Sequence, residues 1–159
     1  MLVWILGYRT IGINASHDSY TLTVAFVVPD SDMTVRFIAP PSGVVEVEVQ
    51  IVYDSGSLSN RILYFGLSDA STYNALQAYY EQIVWKTDET DDVTITHKWV
   101  VTGLTGGTRY DYFFGAKTSS VLGGAPVLNW GGNTSGRMQD FIMKVTALPT
   151  AVADFAVYG

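Results

Sequence analysis

Cysteine is absent from the 159 residues, so disulfides and thiolate metal sites are excluded, and stability must come from packing, assembly or oxygen and nitrogen ligands. Charge is also scarce. Charged residues make up 15% of the chain, against about 25% in an average soluble protein. Basic residues are the scarcer sign, with 9 Lys and Arg against 15 Asp and Glu and a formal net charge of −6. A phosphate-binding surface needs clustered Lys and Arg to displace counterions, so nucleic acid is not an expected partner. Long apolar runs are missing too. The opening MLVWILGYRT lacks the basic start and cleavage pattern of a signal peptide, and no stretch reaches the roughly 18 residues needed to cross a bilayer, so no membrane partner is expected.

What the chain does hold is apolar and aromatic, at 48% and 13%. A length of 159 residues suits one compact domain. A sheet protein with so few charges must hide its edges or share them with neighbours, so an oligomer is expected.

Alternation is clearest in GVVEVEVQIVYDSGS, where Val45, Val47, Val49, Ile51 and Tyr53 interleave with Glu46, Glu48 and Gln50, as in a strand wet on one face. DSYTLTVAFVVPD groups Tyr20, Leu22, Val24 and Phe26 in the same way, and DMTVRFIAPPSG groups Met33, Val35 and Phe37 before a Pro-Pro-Ser-Gly turn. NRILYFGLSD is apolar on both faces and reads as a central strand. In DASTYNALQAYY, Tyr73, Leu76 and Tyr80 recur at helical spacing with Ser68 or Ser71 as cap, which predicts one short helix of two or three turns. EQIVWKTDETDDVTITHKWVVTG predicts a hairpin around an acidic tip. TRYDYFFGAKT, APVLNWGG and RMQDFIMKVTALP supply further strands. Eight to ten short strands with Gly and Pro punctuation indicate an all-β, antiparallel β-sandwich, jelly-roll-like in topology, with an immunoglobulin-like sandwich as the second choice.

In GLTGGTRYDYFFG, a two-glycine turn precedes an aromatic run. Leu104, Gly106, Gly107, Thr108 and Tyr110 fit a structural corner between sheets, tied by the tyrosine hydroxyl, in preference to a ligand rim. His97 shares a strand face with Val93, Ile95 and Trp99, so it reads as a packed histidine; no Gly-x-Ser-x-Gly elbow accompanies it, and His17 lies at no metal-ligand spacing. Asp88, Glu89, Asp91 and Asp92 lack the spacing of a calcium loop and read as a solvated tip. Asn14-Ala15-Ser16 and Asn133-Thr134-Ser135 match the glycosylation sequon, which matters only in a eukaryotic secretory route. No catalytic residue, metal or cofactor is indicated.

Both ends are apolar. Residues 1–8 and 149–159 are expected in assembly contacts, through Leu2, Trp4, Ile5 and Tyr8 at one end and Val152, Phe155, Val157 and Tyr158 at the other. The aromatics Trp85, Trp130, Tyr79 and Tyr80 are candidates for stacking on sugar rings; Asn129, Trp130 and Asn133 form the candidate glycan platform.

NRILYFGLSDASTYNALQ, THKWVVTGLTGGTRYDYFFGAKT and NWGGNTSGRMQDFIMKVTALP resemble segments of small β-sandwich virion proteins of tailed bacteriophages, the capsid decoration (cement) proteins and fibre-tip domains of jelly-roll or tumour-necrosis-factor-like fold. The resemblance runs from residue 33 to 149. It implies a non-enzymatic structural role, commonly as a homotrimer on the capsid surface with the major capsid protein or another virion protein as partner. A receptor- or carbohydrate-binding head of a tail or head fibre is the alternative. Strands that begin almost at once, without heptads or a shaft, favour decoration.

Overall fold

A computed structural model describes residues 4–12, 18–56, 61–87, 92–132 and 138–149. Within them ten strands form two antiparallel sheets: β1 (Ile5–Ile11), β2 (Asp18–Thr21), β3 (Thr34–Ile38), β4 (Val45–Asp54), β5 (Arg61–Ser68), β6 (Gln82–Thr87), β7 (Asp92–Val101), β8 (Arg109–Thr118), β9 (Val127–Trp130) and β10 (Phe141–Ala147).

The first sheet is built on β4. Its alternating valines face inward, and it pairs along its whole length with β7. On its other side β10 covers Val45 to Gln50, and β9 continues the same line over Val52 to Asp54. β1 pairs with β10 and β2 with β9. Two columns of the sheet are therefore each one strand interrupted by an excursion, and both interruptions fall at the same height. There Gly12 and Gly131, with φ of +111° and +78°, meet back to back; a Cβ on Gly12 would lie 2.5 Å from Gly131 Cα. The second excursion is closed at its neck, where Gly131 N–H donates to Gln139 O at 3.1 Å and Met138 N–H donates to Gly131 O at 3.0 Å.

Counted as columns, the first sheet reads β1/β2, β9/β10, β4, β7, and the second β3, β8, β5, β6. Successive columns of the chain cross between sheets at every step except β5 to β6. This interleaving is jelly-roll topology, the arrangement expected from the sequence. The core lies between the sheets and is dominated by Phe65, Phe114, Phe141, Trp99 and Tyr112 with the valines of β4.

Three local expectations fail. The hairpin over residues 81–103 does not form, because β6 pairs with β5 and β7 with β4, in opposite sheets. Period-two alternation reports a half-buried strand but not its partner. The strand expected over 18–30 stops at Thr21, since beyond Leu22 the chain crosses to the second sheet, where Thr23 O accepts from Thr118 N–H at 2.9 Å and Val27 forms an isolated bridge with Ala116.

The helix over 69–80 is replaced by turns and one 3₁₀ turn, Ala78–Tyr80. The buried Ser68 hydroxyl, proposed as a helix cap, instead holds a turn by accepting from Asn74 N at 2.9 Å and Ala70 N at 3.2 Å. This leaves Tyr73 flat on the outside of the second sheet, over the adjacent pair Gly66 and Gly115. Its ring stacks on Phe26 at 4.8 Å and 12°, and its hydroxyl donates to Glu81 Oε1 at 3.1 Å.

Candidate assembly surface

The Tyr73 seal makes the two outer faces unlike. The second sheet is covered in part by its own chain, with Lys117 Nζ lying 4.7 Å and 4.8 Å from the ring centres of Phe26 and Tyr64. The outer face of the first sheet carries a charge ladder. Register aligns Tyr8, Lys144, Glu48 and Lys98 across four strands, and Ile5, Thr146, Glu46 and Val100 in an adjoining outward row. Lys144 reaches Glu48 at 3.0 Å, and Lys98 reaches Glu48 at 3.0 Å and Glu46 at 2.9 Å. Burial alone would raise the Glu48 carboxyl, but the hydrogen bonds and charges of Lys144 and Lys98 outweigh it and hold the group below its ordinary range. Two lysines balance two glutamates in the plane of the sheet. Such a face can be covered without stranding an unpaired charge.

Apolar side chains border this molecule on opposite edges. On one, Trp4 is 65% exposed, and Ile5 and Tyr8 on β1 and Ile38 on β3 are each more than half exposed. β1 lies close against β3 there, because a Cβ on Gly7 would fall 2.5 Å from Arg36 O. The seam between them is a cleft of about 320 Å³ lined by Tyr8, Arg9, Asp32, Arg36 and Asp111. Its charges are paired: Arg9 with Asp32 at 2.9 Å and Arg36 with Asp111 at 2.6 Å. On the opposite edge Ile83 and Trp85 of β6 and Val100 of β7 are exposed.

The sequence-predicted residues separate clearly. Trp4, Ile5 and Tyr8 come together on one edge, while Leu2, Val152, Phe155, Val157 and Tyr158 lie outside the described residues. At the corner, the Tyr110 hydroxyl accepts from Thr105 N–H at 3.1 Å, and Gly107 N–H donates to Ala39 O at 2.9 Å across a turn with φ of +79° at Gly107. Leu104 packs against the core.

The glycan platform needs correction. Trp130 is 3% exposed and Asn129 4%, because β9 is an interior column between β4 and β2, and Trp130 is part of the core cluster; Asn133 lies outside the described residues. Tyr80 is buried as well, whereas Tyr79 remains open. His97 is inside the sandwich wall, with Nε2 2.9 Å from Gln82 Oε1 and its ring 4.6 Å from Trp99; burial pushes the imidazole below its ordinary 6.5. His17, both sequons and Asp88, Glu89 and Asp91 lie outside the described residues. Among the described residues no three His, Cys, Asp or Glu side chains gather as metal ligands, and no helix is long and apolar enough to cross a membrane.

What sequence reasoning missed is the second edge. Val100 was assigned no role, yet it lies in the same outward row as Ile5, and the signal available was the break in charge after Lys98.

No family model matches the chain, and no curated protein matches it. Among solved structures it is similar to the enzymatically active domain of tailspike protein 4 from bacteriophage CBA120, with a TM-score of 0.27 and 9% sequence identity over 78% of this chain and 18% of that one. The chain thus spans about a fifth of that neighbour's length.

Proposed function

We propose that the chain is a non-enzymatic structural protein of a tailed-bacteriophage virion, a capsid decoration or cement protein that closes into a homotrimer on the capsid surface and stabilises it. The observation that carries this reading is the pair of apolar strips on opposite edges, Trp4, Ile5, Tyr8 and Ile38 on one and Ile83, Trp85 and Val100 on the other. Two different patches that meet head to tail generate a ring rather than a two-fold dimer. The ladder face supports it further, since its balanced charges suit a surface that a capsid protein covers. Three copies seated together would bind through many weak contacts at high effective concentration.

Sedimentation velocity at micromolar concentration tests the ring. The wild-type chain is expected to run as a trimer, and Tyr8→Asp and Ile83→Asp as monomers with unchanged circular dichroism. Mixed one to one, these variants each retain one intact strip and are expected to form a dimer that cannot close. A monomeric wild-type chain, or variants that do not pair on mixing, overturns the head-to-tail assembly.

A further inference from the structure

At the end of the sandwich where β7 passes to β8, a cleft of about 200 Å³ opens between the 3₁₀ turn and residues 102–104. Its lining includes Tyr79, Tyr80, Tyr110, Gln77, Thr102 and Leu104. Among the described residues, the phenols are the only ionisable side chains in this wall. Tyr79 is 64% exposed, and its ring sits 4.4 Å from that of Tyr80 at a 60° tilt, so that Tyr80 and the wall behind it hold an aromatic face open to solvent. The backbone beneath is fixed. Tyr80 N–H donates to Gln77 O at 3.0 Å, Trp99 Nε1 donates to Tyr80 O at 2.9 Å, and Gln82 Nε2 donates to Tyr79 O at 3.1 Å.

The geometry points to this tyrosine cleft as a binding site for one neutral pyranose ring of a saccharide. A wall without a cationic side chain offers no counter-charge to phosphate or carboxylate ligands. An exposed aromatic face takes up the C–H face of a flat ring. The Tyr79 and Tyr80 hydroxyls bond to each other, and Tyr110 accepts from Thr105 N–H. Gln77 and Thr102 at the rim, with the remaining capacity of the exposed Tyr79 hydroxyl, therefore offer the donors and acceptors to ring hydroxyls. The cavity suits a single ring and is too small for a helix or strand. It lies at the end of the sandwich where β7 passes to β8, and its lining is distinct from the residues of both edge strips.

The test is saturation-transfer NMR on the full chain with the methyl glycosides of glucose, galactose, mannose and N-acetylglucosamine. At least one is expected to receive transfer, strongest at its ring C–H protons. Tyr79→Ala is expected to lower that affinity about tenfold, whereas Tyr79→Phe, which keeps the ring face, stays within about threefold of wild type. Both variants are expected to retain the wild-type sedimentation profile, which separates this site from the assembly surface. No transfer to any of the four glycosides, or transfer unchanged in Tyr79→Ala, overturns the proposal. Tyr79-dependent binding of a synthetic peptide of residues 150–159 without glycoside binding would also overturn it, by showing a peptide groove.

Discussion

Replacing Gly115 by alanine places a methyl group where the Tyr73 ring lies. The new Cβ would be 2.5 Å from Tyr73 Cδ2, against about 3.5–4.0 Å for carbon atoms in contact, so the ring must move by at least about 1 Å. Backbone cannot yield easily, because Gly115 is in the middle of β8 and paired with Gly66. The displaced ring loses its stack on Phe26, about 0.5–1.5 kcal/mol, and its hydrogen bond to Glu81, about 1 kcal/mol. Partial loss of ring burial adds about another 1 kcal/mol. The total is roughly 3 kcal/mol, or a fall in Tm of about 6–12 °C for a chain of this size. Urea unfolding followed by circular dichroism at one fixed protein concentration measures it, since stability depends on concentration wherever copies associate. The decisive comparison is the double mutant. In a Tyr73→Ala background Gly115→Ala is expected to be neutral, or to stabilise by up to about 1 kcal/mol through the unfolded chain. An equal cost in both backgrounds would refute the claim that Tyr73 is what the glycine accommodates.

Tyr110→Phe removes the hydroxyl that accepts from Thr105 N–H and is expected to cost about 0.5–1.5 kcal/mol in the same urea assay with no change in sedimentation. His97 is held below 6.5 by burial, so the unfolded chain takes up its proton first: stability is full above pH 6.5 and falls as the pH drops from there through the folded value. Urea midpoints measured from pH 7.5 to 5 are expected to show that fall, and His97→Gln to flatten it.

Much of the fold is legible in residue alternation, and its limits follow from the same physics. Val45 to Tyr53, Val93 to Val101 and Phe141 to Val145 alternate because each strand has one wet face, and all three form strands. Alternation is silent about partners, which is why residues 82–101 resemble a hairpin while belonging to two sheets. Tyr73, Leu76 and Tyr80 have helical spacing, but the position of Tyr73 is decided by Gly66 and Gly115, of which the second is 42 residues away; no local window contains it. The apolar edge of Trp4, Ile5 and Tyr8 is visible as an excess of uncharged residues near one end. Trp130 misleads because Asn129 and the Gly131-Gly132 pair give it the sequence surroundings of a loop rim, although it sits in an interior column.

The back-to-back meeting of Gly12 and Gly131 separates two properties that are usually tied together in a sheet. Because both neighbouring columns leave the ladder at one rung and rejoin it at the next, the register above and below is set by β4, which runs past without a break. The pairing of β10 and of β9 with β4 therefore holds each half of the interrupted columns in place independently of the other. Where the chain can absorb a change of length is thus separated from where its register is decided, and the packing between the two sheets does not depend on the first.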